Sequence, residues 1–285
     1  MKRVITTVCT ADYYQNYIPI FIWSALKTFQ GVDIIIYVRG ELHDNVLDAL
    51  KIVNGRYQIV ANYKTDYPFL IGTTNALRFT TETIQGYDEV LITDIDFFFS
   101  AVSIDIFQFH KDIKVCEFFS GHHGPLHKPH RPNICPAWKG DFERVTGGFV
   151  MLYPGWWKKT VEIRKKWDEI LHRGKDSKND IYGQFRESDE CILARMIKEA
   201  GLPVAPKIPY PRSLRFLHFG DFKPSMKVRY EDKAKMSGFL DRRHVNAFLR
   251  ALSDPSYSKI VDIVRRNAQM DDIISRTITY CEGVV

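Results

Sequence analysis

The apolar positions of the first hundred residues change period several times. Val4 to Cys9 alternates well enough to make a buried strand. From Tyr17 to Phe29 the residues Ile18, Phe21, Ile22, Ala25, Leu26 and Phe29 recur three and four apart, the spacing of one helix face. Asp33 to Val38 is a continuous, mostly β-branched run closed by Arg39-Gly40; residues 44–52 then read as an amphipathic helix and 57–61 as another strand. Residues 73–84 predict a third helix, with Thr73 or Thr74 as its cap, and 89–93 the next strand, closed by Asp94-Ile95-Asp96. Strands alternating with helices predict a mostly parallel sheet covered by helices on both faces. Such sheets bind ligands at the carboxyl ends of their strands.

Further along, residues 113–119 read as a strand. The segment 121–136 holds four His, four Pro and two Gly and reads as a long loop. Residues 147–152 suit a strand and 156–173 a long amphipathic helix. A further helix runs over 188–199, capped by Ser188 and ended by Gly201-Leu202-Pro203. Past Pro211 the pattern weakens into a polar stretch, then returns as C-terminal helices over 243–252 and 258–279. There is no internal repeat.

A chain of 285 residues with 45% hydrophobic and 26% charged side chains fits a large α/β core with an appendage, and excludes a disordered or disulfide-stapled protein. Met1-Lys2-Arg3 leads straight into the first strand, without the apolar stretch of a leader, and no run approaches the length needed to span a membrane. A cytoplasmic location is the expectation. The five cysteines are scattered and include no Cys-x-x-Cys pair, which argues against a structural zinc and leaves them as small hydrophobes. Charge is uneven: between Lys207 and Arg250 eleven Lys/Arg face four acids, more than the whole net charge of +6. Such a block favours an anionic partner, or is simply a solvated face.

Asp94-Ile95-Asp96 follows the apolar run Val90-Leu91-Ile92, so two carboxylates emerge together from a buried strand. Like charges at the edge of an apolar core are costly unless a cation lies between them, and a divalent metal bridging phosphate oxygens meets that need with hard oxygen ligands. Asp-x-Asp also arises by chance as a turn cap.

In its ordered motifs the sequence resembles a retaining, nucleotide-sugar-dependent glycosyltransferase of the GT-A type, an α/β, Rossmann-like fold. The pattern is that of the family including glycogenin and the bacterial lipopolysaccharide α-galactosyltransferases, with a secondary likeness to the blood-group α-glycosyltransferases. It spans roughly residues 3–225 and rests on Thr7-Val8-Cys9-Thr10-Ala11-Asp12, Ser24-Ala25-Leu26, Asn75-Ala76-Leu77-Arg78-Phe79, Asp94-Ile95-Asp96, Thr146 to Leu152, Ser188-Asp189-Glu190 with Leu193, and His218-Phe219-Gly220 with Lys223-Pro224. The resemblance implies that residues 1–100 bind the nucleotide sugar and 101–225 the acceptor, with 226–285 as a basic, mainly helical extension.

It also implies roles. A base such as uracil would lie against Thr7 and Cys9, with Thr10 and Asp12 facing the ribose. Arg78 and Lys223 would reach the donor diphosphate, Arg78 or alternatively the donor sugar. Asp94, Asp96 and His218 would hold Mn²⁺ or Mg²⁺, with Ile95 between them on the donor side. Asp189 would contact the donor or acceptor sugar and Glu190 would face the anomeric carbon, a catalytic pair. Gly147 and Gly148 would admit the acceptor, while Gly220 would allow close backbone approach. The chain departs from the family in having one residue fewer between His218 and its glycine and Ser225 in place of an aromatic residue after Pro224.

The expected partners are a UDP-sugar donor and a glycan or glycolipid acceptor, with peripheral membrane contact through the basic segment and no nucleic acid. Trp156-Trp157 would stack on sugar or pack the core, and Tyr13, Tyr14 and Tyr17 are equally open. His122, His123, His127 and His130 suit a mobile acceptor loop better than a zinc site. Two other readings stand. A sugar-1-phosphate nucleotidyltransferase would share the sheet and metal but needs a Gly-rich loop that does not follow the first strand. A non-catalytic basic module binding nucleic acid or membrane would leave the acidic pair structural.

Overall fold

The computed structural model describes residues 1–9, 12–68, 75–81, 83–100, 107, 148–152, 160–173, 189–201, 217–223 and 242–284. The expected strand at 113–119, the His- and Pro-rich segment and Trp156-Trp157 lie outside them, as do Thr10 and Gly147. The main sheet is built from β1 (Arg3–Cys9), β2 (Asp33–Val38), β3 (Gln58–Val60), β4 (Glu89–Thr93) and β6 (Phe149–Leu152), in the order β3-β2-β1-β4-β6. The first four are parallel, with Val4 beside Asp33 and Val90; β6 runs antiparallel, pairing Thr93 with Phe149. A second, two-stranded sheet pairs β5 (Phe97–Phe98) with β7 (Leu217–His218).

Strand periodicity divides the interior into two cores, one on each face of the sheet. Ile5, Ile34, Ile36, Val38 and Leu91 point to one side; Val4, Val8, Ile35, Tyr37, Val90 and Ile92 point to the other. Because both faces are covered, the strands read as near-continuous apolar runs rather than as alternations.

The first core is closed by α1 (Ile18–Thr28), α2 (Asp44–Leu50) and three C-terminal helices, α5 (Arg242–Leu252), α6 (Pro255–Val264) and α7 (Ala268–Val284). Helix α1 is buried from Ile18 to Ala25, sandwiched between sheet and C-terminal helices, with Pro19 placed in its first turn where no intrahelical N–H is needed. Trp23 packs against Tyr257 with ring centroids 4.6 Å apart and donates its indole N–H to Ser256 Oγ at 3.0 Å, which fastens α6 to α1. Truncating the fully buried Phe21 to Ala would cost ~3–5 kcal/mol. The second core is closed by α3 (Val161–Arg173) and α4 (Asp189–Glu199), through Trp167, Leu171, Leu193 and Ile197. Gly201, at φ +61, takes the left-handed position that ends α4, as the sequence predicts.

Two elements differ from expectation. The described part of 73–84 is helical at Asn75 and then forms two 3-10 turns, Ala76–Phe79 and Thr83–Gly86, with Thr80 and Thr81 between them outside any helix. Thr80 closes the first by donating its backbone N–H to the Leu77 carbonyl at 3.1 Å, while its hydroxyl, with one proton to give, stands 3.2 Å from that carbonyl and 2.9 Å from Asp168 Oδ1. The run 258–279 is broken at 265–267, where the Asn267 side chain accepts from the backbone N–H groups of Gln269 and Met270 and starts a new helix. The two cysteines whose side chains are described, Cys9 and Cys281, are buried. Among the described residues no helix is long and apolar enough to cross a membrane.

Candidate active site at the carboxyl edge of the sheet

β4 ends at Thr93, and the chain bends at Ile95 and Asp96 before β5 begins at Phe97. Ile95 turns into the first core, 4% exposed, and the two carboxylates emerge on the opposite side. Backbone hydrogen bonds hold this segment from two directions: Asp94 N–H donates to the Gly148 carbonyl and Phe219 N–H to the Asp96 carbonyl, both at 2.9 Å. The second contact brings His218 opposite Phe97. One ligand atom from each of Asp94, Asp96 and His218 then lies within 4.8 Å of the others.

Asp96 is almost fully buried and both of its oxygens are engaged. His218 Nε2 lies 3.0 Å from Oδ1, and Lys223 Nζ donates to Oδ2 at 3.2 Å. Burial would raise this carboxyl's pKa, but His218 and Lys223 outweigh it and hold the group far below the usual carboxylate range. Lys223 also donates to Tyr14 Oη at 2.5 Å, with its ammonium 4.3 Å from that ring's centroid. Burial lowers the Lys223 pKa; Asp96 and Tyr14 raise it by more, so the ammonium stays charged.

Asp94 is more open, 32% exposed, and pairs with Arg78 Nη1 at 2.5 Å. The other guanidinium nitrogen, Nη2, donates to Asp189 in the first turn of α4. Arg78 is buried, which by itself disfavours its charge, but Asp189 and Asp94 together raise its pKa above the ordinary arginine value. It therefore bridges two carboxylates 95 positions apart in the chain.

Two glycines keep the centre empty. A Cβ on Gly148 would collide with Asp94 Oδ2, and one on Gly220 would stand 2.7 Å from His218 Nε2 and 2.8 Å from Asp96 Oδ2. Gly148 thus fronts the acid pair. Thr7 and Cys9 lie buried at the carboxyl end of β1, and Asp12 opens the 3-10 turn Asp12–Tyr17. Glu190 follows Asp189 on α4. Tyr14, which the sequence leaves open between stacking on sugar and packing the core, bonds Lys223 instead: its partner is 209 positions away, and only the fold joins them.

The donor set fits a divalent cation. Two carboxylates and an imidazole suit Mn²⁺ or a similar ion. Donors adjacent on a six-coordinate ion at ~2.1 Å stand ~3.0 Å apart, and Asp96 Oδ1 and His218 Nε2 are separated by 3.0 Å.

No protein-family model matches the chain, and no curated protein matches it either. Among solved structures, the galactosyltransferase LgtC in complex with donor and acceptor sugar analogues is 14% identical over 71% of this chain and 73% of that one, with a TM-score of 0.44. The mannosyltransferase Ktr4p from S. cerevisiae in complex with GDP is 12% identical over 76% and 71%, at 0.42. The glycosyltransferase GlyE of Streptococcus pneumoniae is 13% identical over 72% and 45%, at 0.41. All three are glycosyltransferases, the class whose motifs this sequence resembles.

Proposed function

We propose that the protein transfers a sugar from a nucleoside-diphosphate sugar, a UDP-sugar first among the candidates, to a hydroxyl of a glycan or glycolipid, retaining the anomeric configuration. The observation that carries this reading is the convergence of Asp94, Asp96 and His218 at the carboxyl edge of a parallel sheet, beside a lysine and with two glycines clearing the space.

Asp94, Asp96 and His218 would hold Mn²⁺ or Mg²⁺, which when bound neutralises the leaving diphosphate. Lys223 adds a fixed ammonium for the diphosphate oxygens. Arg78 orients Asp94 toward the donor and Asp189 toward the sugar by holding both carboxylates on one planar fork. Asp189 and Glu190 supply negative charge near the anomeric carbon, where an oxocarbenium-like transition state becomes positive. Thr7, Cys9, Thr10 and Asp12 would contact the donor and Gly147 and Gly148 the acceptor; Ile95, whose side chain is buried in the first core, would offer the donor only its backbone.

A panel of nucleotide sugars with Mn²⁺, read by thermal shift and slow donor hydrolysis, tests the reading without an acceptor. A cognate donor at 100 times its Kd stabilises the fold by about 2.7 kcal/mol. No shift and no hydrolysis with any donor would overturn it. NMR of the product's anomeric centre checks retention.

A further inference from the structure

Lys223 has two partners, and only one belongs to the acid pair. An ammonium has three N–H donors; one goes to Asp96 Oδ2 and another to Tyr14 Oη. The Tyr14 ring is itself fixed by neighbours, 4.3 Å from Tyr13 and 5.8 Å from Tyr17, and Tyr17 in turn stacks on Phe219 beside His218. The tyrosine is therefore a firm post, set by the turn after β1, against which a lysine from the far end of the chain leans. If Asp96 accepts a divalent cation, the Lys223–Asp96 contact is the one that weakens, because both cations draw on the charge of the same carboxylate. The contact to Tyr14 carries no such competition.

We propose that Tyr14 is a positioning residue acting through Lys223: its hydroxyl keeps the ammonium beside the acid pair when Asp96 turns to a divalent cation, so that the lysine faces incoming diphosphate oxygens. This deepens the function proposed above and rests on it. Tyr14→Phe removes only the hydroxyl and keeps the ring packing.

The test is a double-mutant cycle on Tyr14→Phe and Lys223→Met, with thermal midpoints of all four proteins separating folding defects from binding ones. Mn²⁺ alone is titrated by the electron paramagnetic resonance of the free ion, and inorganic pyrophosphate at low micromolar concentration is titrated by calorimetry in the presence of Mn²⁺. Tyr14→Phe is expected to weaken pyrophosphate binding by ~10-fold, the size of one hydrogen bond to a charged group. Lys223→Met weakens pyrophosphate at least as much but tightens Mn²⁺ alone, because a competing cation has gone. Adding Tyr14→Phe to Lys223→Met changes neither affinity by more than ~2-fold if the tyrosine acts only through the lysine. Wild-type pyrophosphate affinity in Tyr14→Phe, or a loss of equal size in the Lys223→Met background, would overturn the inference while leaving the metal site standing. Failure of Mn²⁺ to bind the unaltered protein would remove the metal site, and the inference with it.

Discussion

Two aspartates in this molecule are each bonded by a lysine with a tyrosine hydroxyl close by, and they differ in nearly everything else. Asp168 on α3 accepts from Lys64, from Tyr67 Oη at 2.8 Å and from Thr80 Oγ1 at 2.9 Å. Its charge is matched by one lysine and its oxygens are filled by side chains. Asp96 also has a lysine, but a second carboxylate and an imidazole converge on it, and glycines at 148 and 220 leave the space in front without side chains. The first arrangement staples the β3 loop, α3 and the turn carrying Arg78 together. The second sets the three carboxylates of Asp94, Asp96 and Asp189 against the two cations Arg78 and Lys223 beside a cleared space, which leaves oxygens and room for a further cation. A carboxylate's neighbours identify a staple; surplus charge and missing bulk identify a binding centre.

That contrast can be broken in graded steps. Asp94→Asn, at the more open of the paired acids, should lower transfer and donor hydrolysis by at least ~10³-fold, since a lost metal contact removes several kcal/mol of charge stabilisation. Its circular dichroism and thermal midpoint should change little. Activity within tenfold of the original would place Asp94 among the staples. Gly148→Ala should cost ~10²-fold in kcat by pushing the Asp94 carboxylate aside, with Mn²⁺ affinity falling in step. Near-normal Mn²⁺ binding would mean the cleared space is not needed.

At the other cluster the signs reverse. Asp168→Asn should lower stability by about 2 kcal/mol in urea unfolding, since Lys64 is left without its counter-charge in a mostly buried place. Catalysis should stay within a few-fold of the original; loss of turnover with stability intact would contradict the division. Thr80→Val, which removes the hydroxyl proton that Asp168 Oδ1 and the Leu77 carbonyl share, should cost about 1 kcal/mol. A larger loss of activity than of stability there would tie the staple to Arg78 and blur the two regions.

Much of the scaffold was readable from the chain because it depends on short-range pattern. The strands 3–9, 33–38 and 89–93, the helix after Tyr17 and the close of α4 at Gly201 all follow from period and punctuation. So did the acid pair, because two carboxylates after a buried strand conflict with their surroundings unless something compensates them. The 3-10 turns at 76–86 are not readable from period, because Thr80 beside the first of them is held by Asp168, 88 positions further along the chain. The partners of the charged groups were unreadable for a different reason. Lys223 and Tyr14, Lys64 and Asp168, and Arg78 and Asp189 stand 209, 104 and 111 positions apart, and sequence period says which side of an element a residue occupies but not what it meets.

The antiparallel docking of β6 and β7 against the segment around Asp94 and Asp96 has a consequence for how the protein is made. Residues 3–93 can pair their own four parallel strands as they leave the ribosome, yet the imidazole, the ammonium and both clearing glycines arrive only with residues 148–223. Pairings of such long sequence separation form slowly. A half-synthesised chain would carry Asp96 without its partners and Asp94 facing only Arg78 on a finished sheet edge, and the ability to grip a cation would mature only after most of translation is over.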